Sequence, residues 1–159
     1  MKFLLIALAI TLGLLGAAEA QGTGAPGIQI VLPWARATAG AATDGVAYLT
    51  IVNTSSADDT LVGVSTPIAK STELHERVTK DGVTKMVLVE AVPVKAGSKL
   101  VLGPSGYMVM LMDLTSPLKV GQTFPMTLRF EKAGQVDTMT KVQKAGATGP
   151  EEMKGMKMD

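Results

Sequence analysis

Apolar and polar positions alternate in short runs along the middle of this chain, from about residue 28 to residue 142. Gly, Pro and Asp interrupt the runs, and none of them shows the 3.6-residue period of an amphipathic helix. Alternation with frequent turn residues predicts an all-β domain, an antiparallel sandwich or barrel. The predicted strands are residues 28–32, 46–53, 60–65, 72–79, 84–89, 99–102, 107–113, 123–131 and 135–142.

The two ends of the chain differ in composition from this middle part. Residues 1–20 combine an early lysine, an apolar run and the small-x-small sequence Ala18-Glu19-Ala20, which predicts a signal peptide cleaved after Ala20. Residues 21–27 are expected to be a flexible lead-in, 28–143 the folded domain and 144–159 a flexible tail. We therefore expect an exported protein of the periplasm, with no stable membrane insertion once the signal peptide is removed.

Composition argues against several classes of function. The formal net charge is only +1 and the basic residues are scattered, which is unlike a nucleic-acid-binding face. The chain has no cysteine, which leaves no residue for a disulfide, a lipid anchor, a blue-copper thiolate or a cysteine nucleophile. No Gly-x-Ser-x-Gly motif accompanies the single histidine, so we expect that the protein is not an enzyme.

Methionine is the unusual residue of this chain, with ten copies against three Phe, two Tyr and one Trp. Three of the ten follow the lone histidine in the pattern His75-x10-Met86-x21-Met108-x-Met110. Thioether sulfur is a soft, neutral donor that suits Cu(I) and binds Mg²⁺ or Ca²⁺ poorly. The alternative is that these methionines fill a core that is short of aromatic residues.

A hairpin is predicted around the Asp81-Gly82 pair, since a type I′ turn requires positive φ at both central positions. Its register makes His75 and Met86 diagonal neighbours on the outer face or rim of the sheet. The pairs that this register predicts are Lys80 with Val83, Arg77 with Met86 and His75 with Leu88. The opposite face is expected to be core and carries Leu74, Val78, Val87 and Val89.

Alternation within residues 107–113 separates two faces of one strand. The expected core face carries Tyr107, Val109 and Leu111, and the other face carries Met108, Met110 and Met112. Because Met108 and Met110 are two residues apart, their sulfur atoms lie side by side and can bind one ion.

These residues closely resemble the periplasmic copper(I) chaperone family known as PCuAC, over about residues 28–142. The stretches that carry the likeness are Pro33-Trp34-Ala35-Arg36-Ala37-Thr38, Ala47-Tyr48-Leu49-Thr50-Ile51-Val52-Asn53, Glu73-Leu74-His75-Glu76 and Gly106-Tyr107-Met108-Val109-Met110-Leu111-Met112. The family's metal motif is His-x10-Met-x21-His-x-Met, and both long spacings are preserved here. His75, Met86 and Met110 match its ligands, whereas Met108 stands where the family usually has histidine.

The resemblance implies a cupredoxin-like antiparallel β-sandwich with Greek-key connections that holds Cu(I) near its surface. It also implies delivery of Cu(I) to a cuproprotein, either the copper centre of cytochrome c oxidase or a second copper chaperone. A methionine in place of the second histidine makes the ligand set softer, so we expect selectivity for Cu(I) and poor retention of Cu(II).

Further residues extend the candidate site. Glu73 shares the face of His75 and is expected to orient its ring, and Met112 is expected to support the methionine pair. The tail methionines Met153, Met156 and Met158 form either an auxiliary copper site or part of a solubilising end. The rival function is a metal-free β-sandwich for adhesion or assembly, with methionines as interface packing.

Overall fold

Ten β-strands form the domain in this computed structural model, which describes residues 25–151. Within that range there is no α-helix, which confirms the all-β prediction. The strands are β1 (Ile28–Arg36), β2 (Gly45–Asn53), β3 (Asp59–Ser65), β4 (Ala69–Lys80), β5 (Val83–Val89), β6 (Val92–Val94), β7 (Lys99–Leu102), β8 (Tyr107–Leu114), β9 (Thr123–Phe130) and β10 (Gly134–Gln143).

The strands make one sheet in the order β5-β4-β8-β2-β1-β10-β9-β3-β6, and β7 adds to β2 beside this path. All ladders are antiparallel except the one between β1 and β10, so the sheet is mixed and departs in one place from the antiparallel expectation. A single buried cluster joins Leu61 of β3, Leu74 of β4, Leu111 of β8 and Leu128 of β9. Strands that are distant in the sheet order therefore share one core, because the sheet folds over on itself.

A bulge in β1 lies just before the residues that pair with β10. The register against β2 shifts between Val31 and Trp34, and Leu32 adopts a positive φ of 48°. A bulge bends its strand and increases the local twist. Beyond it, Trp34 lies opposite Tyr48 on β2 and pairs with Lys141 on β10. The bulge therefore sets the position of the only tryptophan of the chain.

The β4–β5 hairpin has the predicted register, with Lys80 opposite Val83. Asp81 and Gly82 have φ values of 52° and 75°, as a type I′ turn requires. The predicted core face of this hairpin is correct only near its base, where Leu74 is buried.

Val78 and Val87, expected in the core, are instead 39% and 45% exposed. The ladder between β4 and β8 ends at Glu76, so the outer half of the hairpin has no neighbouring strand on that side and extends past the core. Strand β6 was not predicted, because Val92-Pro93-Val94 is too short and contains a proline.

Asp59 fixes the start of β3 against the turn after β9. It is buried, and its carboxylate accepts hydrogen bonds from the backbone N–H groups of Thr60, Lys132 and Ala133. Burial alone would raise the pKa of this carboxyl, but the three N–H groups and nearby Lys132 lower the pKa below its ordinary value.

The chain ends include several predicted features that lie outside the described residues. These are the signal peptide, most of the lead-in and the tail methionines Met153, Met156 and Met158. Among residues 25–151, no helix has the length and apolarity needed to cross a membrane. Residues 144–151 belong to the described part, and Ala147 among them packs against the domain.

Candidate metal centre

The ladder between β4 and β8 brings the histidine and two methionines together. His75 lies directly opposite Met108, and Glu73 lies directly opposite Met110. Directly opposed residues of an antiparallel pair share a face, with Cβ atoms about 4.5–5.5 Å apart. His75, Met108 and Met110 therefore project from one face of adjacent strands.

Met86 reaches the same face from β5, on the other side of β4. It lies opposite Arg77, and Leu88 lies opposite His75, so Met86 is a diagonal neighbour of the histidine. Diagonal neighbours have Cβ atoms up to about 7–8 Å apart, a gap that an unbranched methionine side chain can close. Met86 is also the most open of the four, at 47% exposure.

The His75 ring is held by a neighbouring carboxylate. Its Nε2 atom lies 2.7 Å from Oε2 of Glu73, and the His75 side chain is 19% exposed. In the neutral ring, the tautomer with its proton on Nε2 donates to this carboxylate and leaves the lone pair on Nδ1. Nδ1 is buried and meets no hydrogen-bond partner among the described residues. A buried lone pair without a donor is the kind of group that a metal ion can satisfy.

Met108 lies on this face, where it is buried in a small aromatic cluster. The cluster consists of Trp34, Tyr48 and Met108, all buried, and Met108 is only 3% exposed. The two rings are 4.6 Å apart between centroids, with their planes inclined at 37°. The sequence predicted that Met108 would lie on the face of β8 opposite the core residues Tyr107, Val109 and Leu111. It does lie on the face of His75, but the aromatic pair covers that part of the face.

The C-terminal segment contributes to this cover. Ala147 packs against the cluster, and its carbonyl accepts a 2.9 Å hydrogen bond from Nε of Arg36. The Arg36 guanidinium lies 5.6 Å from the centroid of the Tyr48 ring, a cation–π distance. Burial raises the pKa of Tyr48, and the positive charge of Arg36 acts in the opposite direction without reversing the shift. The tyrosine is therefore a neutral part of the cover.

The remaining predicted residues lie at the margin of the site or outside the described residues. Met112 is partly buried opposite Ser71, one step beyond Met110 on the same face. The described residues contain no group of three or more His, Cys, Asp or Glu side chains that could hold a metal ion. The sequence did not reveal that Tyr48 packs against Met108. Its pairing with Trp34 follows from the β1–β2 ladder.

Comparison with known proteins identifies the family of this chain. A family model described as "Putative lipoprotein LpqE-like" matches residues 28–142. The chain is 38% identical over 130 residues to "Putative lipoprotein Lxx21020" of Leifsonia xyli subsp. xyli (strain CTCB07), which covers 77% of each chain.

Solved structures of PCuAC domains share the fold. The "Copper-bound PCuAC domain from PmoF2" is 29% identical, with a TM-score of 0.65, over 76% of this chain and 95% of that domain. The structure of "CuI-DR1885" from Deinococcus radiodurans is 31% identical, with a TM-score of 0.62, over 80% of this chain and 85% of that one. These likenesses confirm the fold that the sequence resemblance implied. Together with the family match, they show that this chain belongs to the LpqE-like family and has the fold of a PCuAC domain.

Proposed function

We propose that this protein is an exported Cu(I) carrier that holds one ion with His75, Met86, Met108 and Met110. The observation that carries the proposal is the direct opposition of His75 and Met108 across the β4–β8 ladder, with Met110 beside them. The copper-bound state of the PmoF2 domain and of the Deinococcus protein supports the choice of metal.

The ligand chemistry favours Cu(I). Three neutral thioethers and one neutral imidazole form a soft set, and Cu(I) prefers soft donors. With Nε2 of His75 bound to Glu73, Nδ1 is the nitrogen that coordinates, and the carboxylate fixes the orientation of the ring. Cu(II) prefers nitrogen and oxygen donors, so a site with one nitrogen retains it poorly.

The four ligands differ in accessibility, which suits a carrier. Met108 is buried under aromatic rings, His75 is mostly covered, and Met86 is about half exposed. An incoming donor can therefore displace Met86 while the buried ligands still hold the ion. Stepwise displacement transfers Cu(I) between two proteins without releasing it to water.

The protein that receives the Cu(I) is inferred from the family resemblance and from export. Residues 1–20 have the pattern of a signal peptide, and a relative is named as a lipoprotein, which is an exported class of protein. The periplasm contains cuproproteins that are assembled after export. The proposed recipient is the copper centre of a cytochrome c oxidase, directly or through a second copper chaperone with cysteine ligands.

A metal-free assembly module is the second candidate. The observation in its favour is the exposed aliphatic surface on the hairpin, where Val83 and Leu88 are 56% and 60% exposed. Large exposed apolar side chains that cluster on one element mark interaction surfaces. The unpartnered Nδ1 atom of His75 and the methionines beside it favour the copper carrier.

Titration of Cu(I) against a competing chelator separates the two candidates. The carrier binds one tightly held Cu(I) at the domain site, and X-ray absorption shows sulfur donors with a single nitrogen. His75→Ala removes that nitrogen and is expected to weaken binding by at least about 100-fold, since loss of a supporting residue alone costs 10–100-fold. Equal affinity of the variant and the parent chain would refute the proposal.

A further inference from the structure

The two edge strands of the sheet, β6 and β5, are protected to different degrees against pairing with a further strand. At one end, β6 has only three residues and includes Pro93, which has no N–H to offer a further strand. At the other end, β5 has seven residues and no proline. Short edge strands and prolines are the usual protection against unwanted strand pairing, and β5 has neither.

The backbone of β5 offers free hydrogen-bonding groups beside the candidate copper ligands. Arg77 donates its N–H to the carbonyl of Gly106, so its backbone groups face β8 and not β5. Hydrogen-bonded and non-bonded pairs alternate along an antiparallel ladder, and Met86 is the residue opposite Arg77. The N–H and C=O groups of Met86 therefore point to the open edge, as do those of Thr84 and Leu88.

Side chains on both faces of β5 are suited to an apolar strand. Val83 and Val87 are exposed on one face, and Met86 and Leu88 are exposed on the other. A strand added at this edge would cover all four, and its side chains on the second face would lie next to Met86.

Charge at the turn end of the hairpin favours a partner strand that carries acidic residues there. The outer half of the hairpin, residues 77–88, carries the cations Arg77, Lys80 and Lys85 against the single carboxylate of Asp81, whereas Glu90 follows β5 at its other end. Carboxylates of an incoming strand would therefore be attracted to the turn end.

We propose that β5 is the docking edge for the copper acceptor. The acceptor adds an extended, apolar segment with acidic residues at the end that meets the turn, and this segment places a thioether or thiol donor beside Met86. The inference rests on the proposed copper-carrier function, because Met86 is the ligand that the incoming donor displaces.

The test uses a peptide of alternating valine and methionine with glutamates at the end that meets the turn, and its control is an analogue methylated at every backbone nitrogen of the alternating segment. Hydrogen exchange on the metal-free chain is expected to show protection of the Thr84, Met86 and Leu88 amides by the first peptide only. The rate of Cu(I) transfer to the peptide is measured in parallel, for the parent chain and for Val87→Glu. This substitution adds a negative charge on the face away from the ligands.

Val101→Glu on β7 is the matched control, since Val101 is 59% exposed and lies outside the hairpin. Val87→Glu is expected to slow transfer by about tenfold or more, and Val101→Glu to leave it unchanged. The inference is overturned if the three amides stay unprotected or if both variants transfer at the parent rate. It is also overturned if the parent chain self-associates and Val87→Glu abolishes that association, because the occupant of the edge would then be a second copy. Chelator competition tests the carrier function separately: if no Cu(I) binds, that function fails, while amide protection still reports on the edge.

Discussion

Replacing Met108 tests whether this residue acts through its sulfur or only through its packing. Met108 is 3% exposed and packs on Trp34 and Tyr48. Met108→Ala removes most of a buried side chain, a change that costs about 2–5 kcal/mol of stability in other cores. Met108→Leu keeps nearly the same volume and is expected to cost less than about 1.5 kcal/mol.

Both substitutions remove the same sulfur, so their effects on copper should match where their effects on stability differ. The leucine variant keeps His75, Met86 and Met110 in a folded domain and loses one of four donors. We expect its Cu(I) affinity to fall by at least about 100-fold, or roughly 2.7 kcal/mol of binding free energy.

Two measurements on each variant complete the test: urea unfolding of the metal-free chain and chelator competition for Cu(I). Met126→Leu is the matched control, because Met126 is 1% exposed in the main core and lies on β9, away from the site. It should leave copper affinity unchanged. If Met108→Leu binds Cu(I) as tightly as Met126→Leu does, Met108 is a packing residue and the four-ligand site is wrong.

Four other predictions follow from the same structure. Met108→His gives the proposed site a second nitrogen donor and should increase retention of Cu(II), seen as a paramagnetic signal after oxidation. Glu73→Ala should weaken Cu(I) binding by about 10–100-fold, because the His75 ring loses its support, whereas Glu76→Gln should not. Removal of residues 152–159 should lower copper stoichiometry if the tail methionines bind metal, and an unchanged stoichiometry would assign them no such role. Asp59→Asn should lower stability at neutral pH by about 1–3 kcal/mol. Since the pKa of Asp59 is lowered on folding, its contribution is present above the unfolded value near 3.8 and disappears as the pH falls through the folded value, so acid unfolding curves of variant and parent should converge.

Local features of the fold could be predicted from the sequence because short-range chemistry determines them. Asp81-Gly82 fixes a two-residue turn, and the turn fixes every pair of the β4–β5 ladder up to His75 and beyond. Alternation likewise placed Val109 and Leu111, which belong to the main core, on the face opposite the methionines of β8. Both inferences need only a few neighbouring residues.

Long-range pairings could not be predicted from the residues alone. The residues of β4 and β8 do not themselves indicate that the two strands are neighbours, since β5, β6 and β7 lie between them in the chain. The opposition of His75 and Met108 depends on that pairing. The cover over Met108 also comes from distant segments, namely β1, β2 and the residues after β10. Alternation identifies a face, but it does not say whether other parts of the chain cover that face.

The aromatic cluster gives the protein an internal spectroscopic reporter. Trp34 is the only tryptophan in the chain, and it stacks on Tyr48 in the cluster that contains Met108. Its fluorescence therefore comes from one indole in one environment, adjacent to the sulfur of a proposed ligand. If Met108 binds the ion as proposed, loading and unloading are expected to change that emission and can be followed in real time without any attached dye.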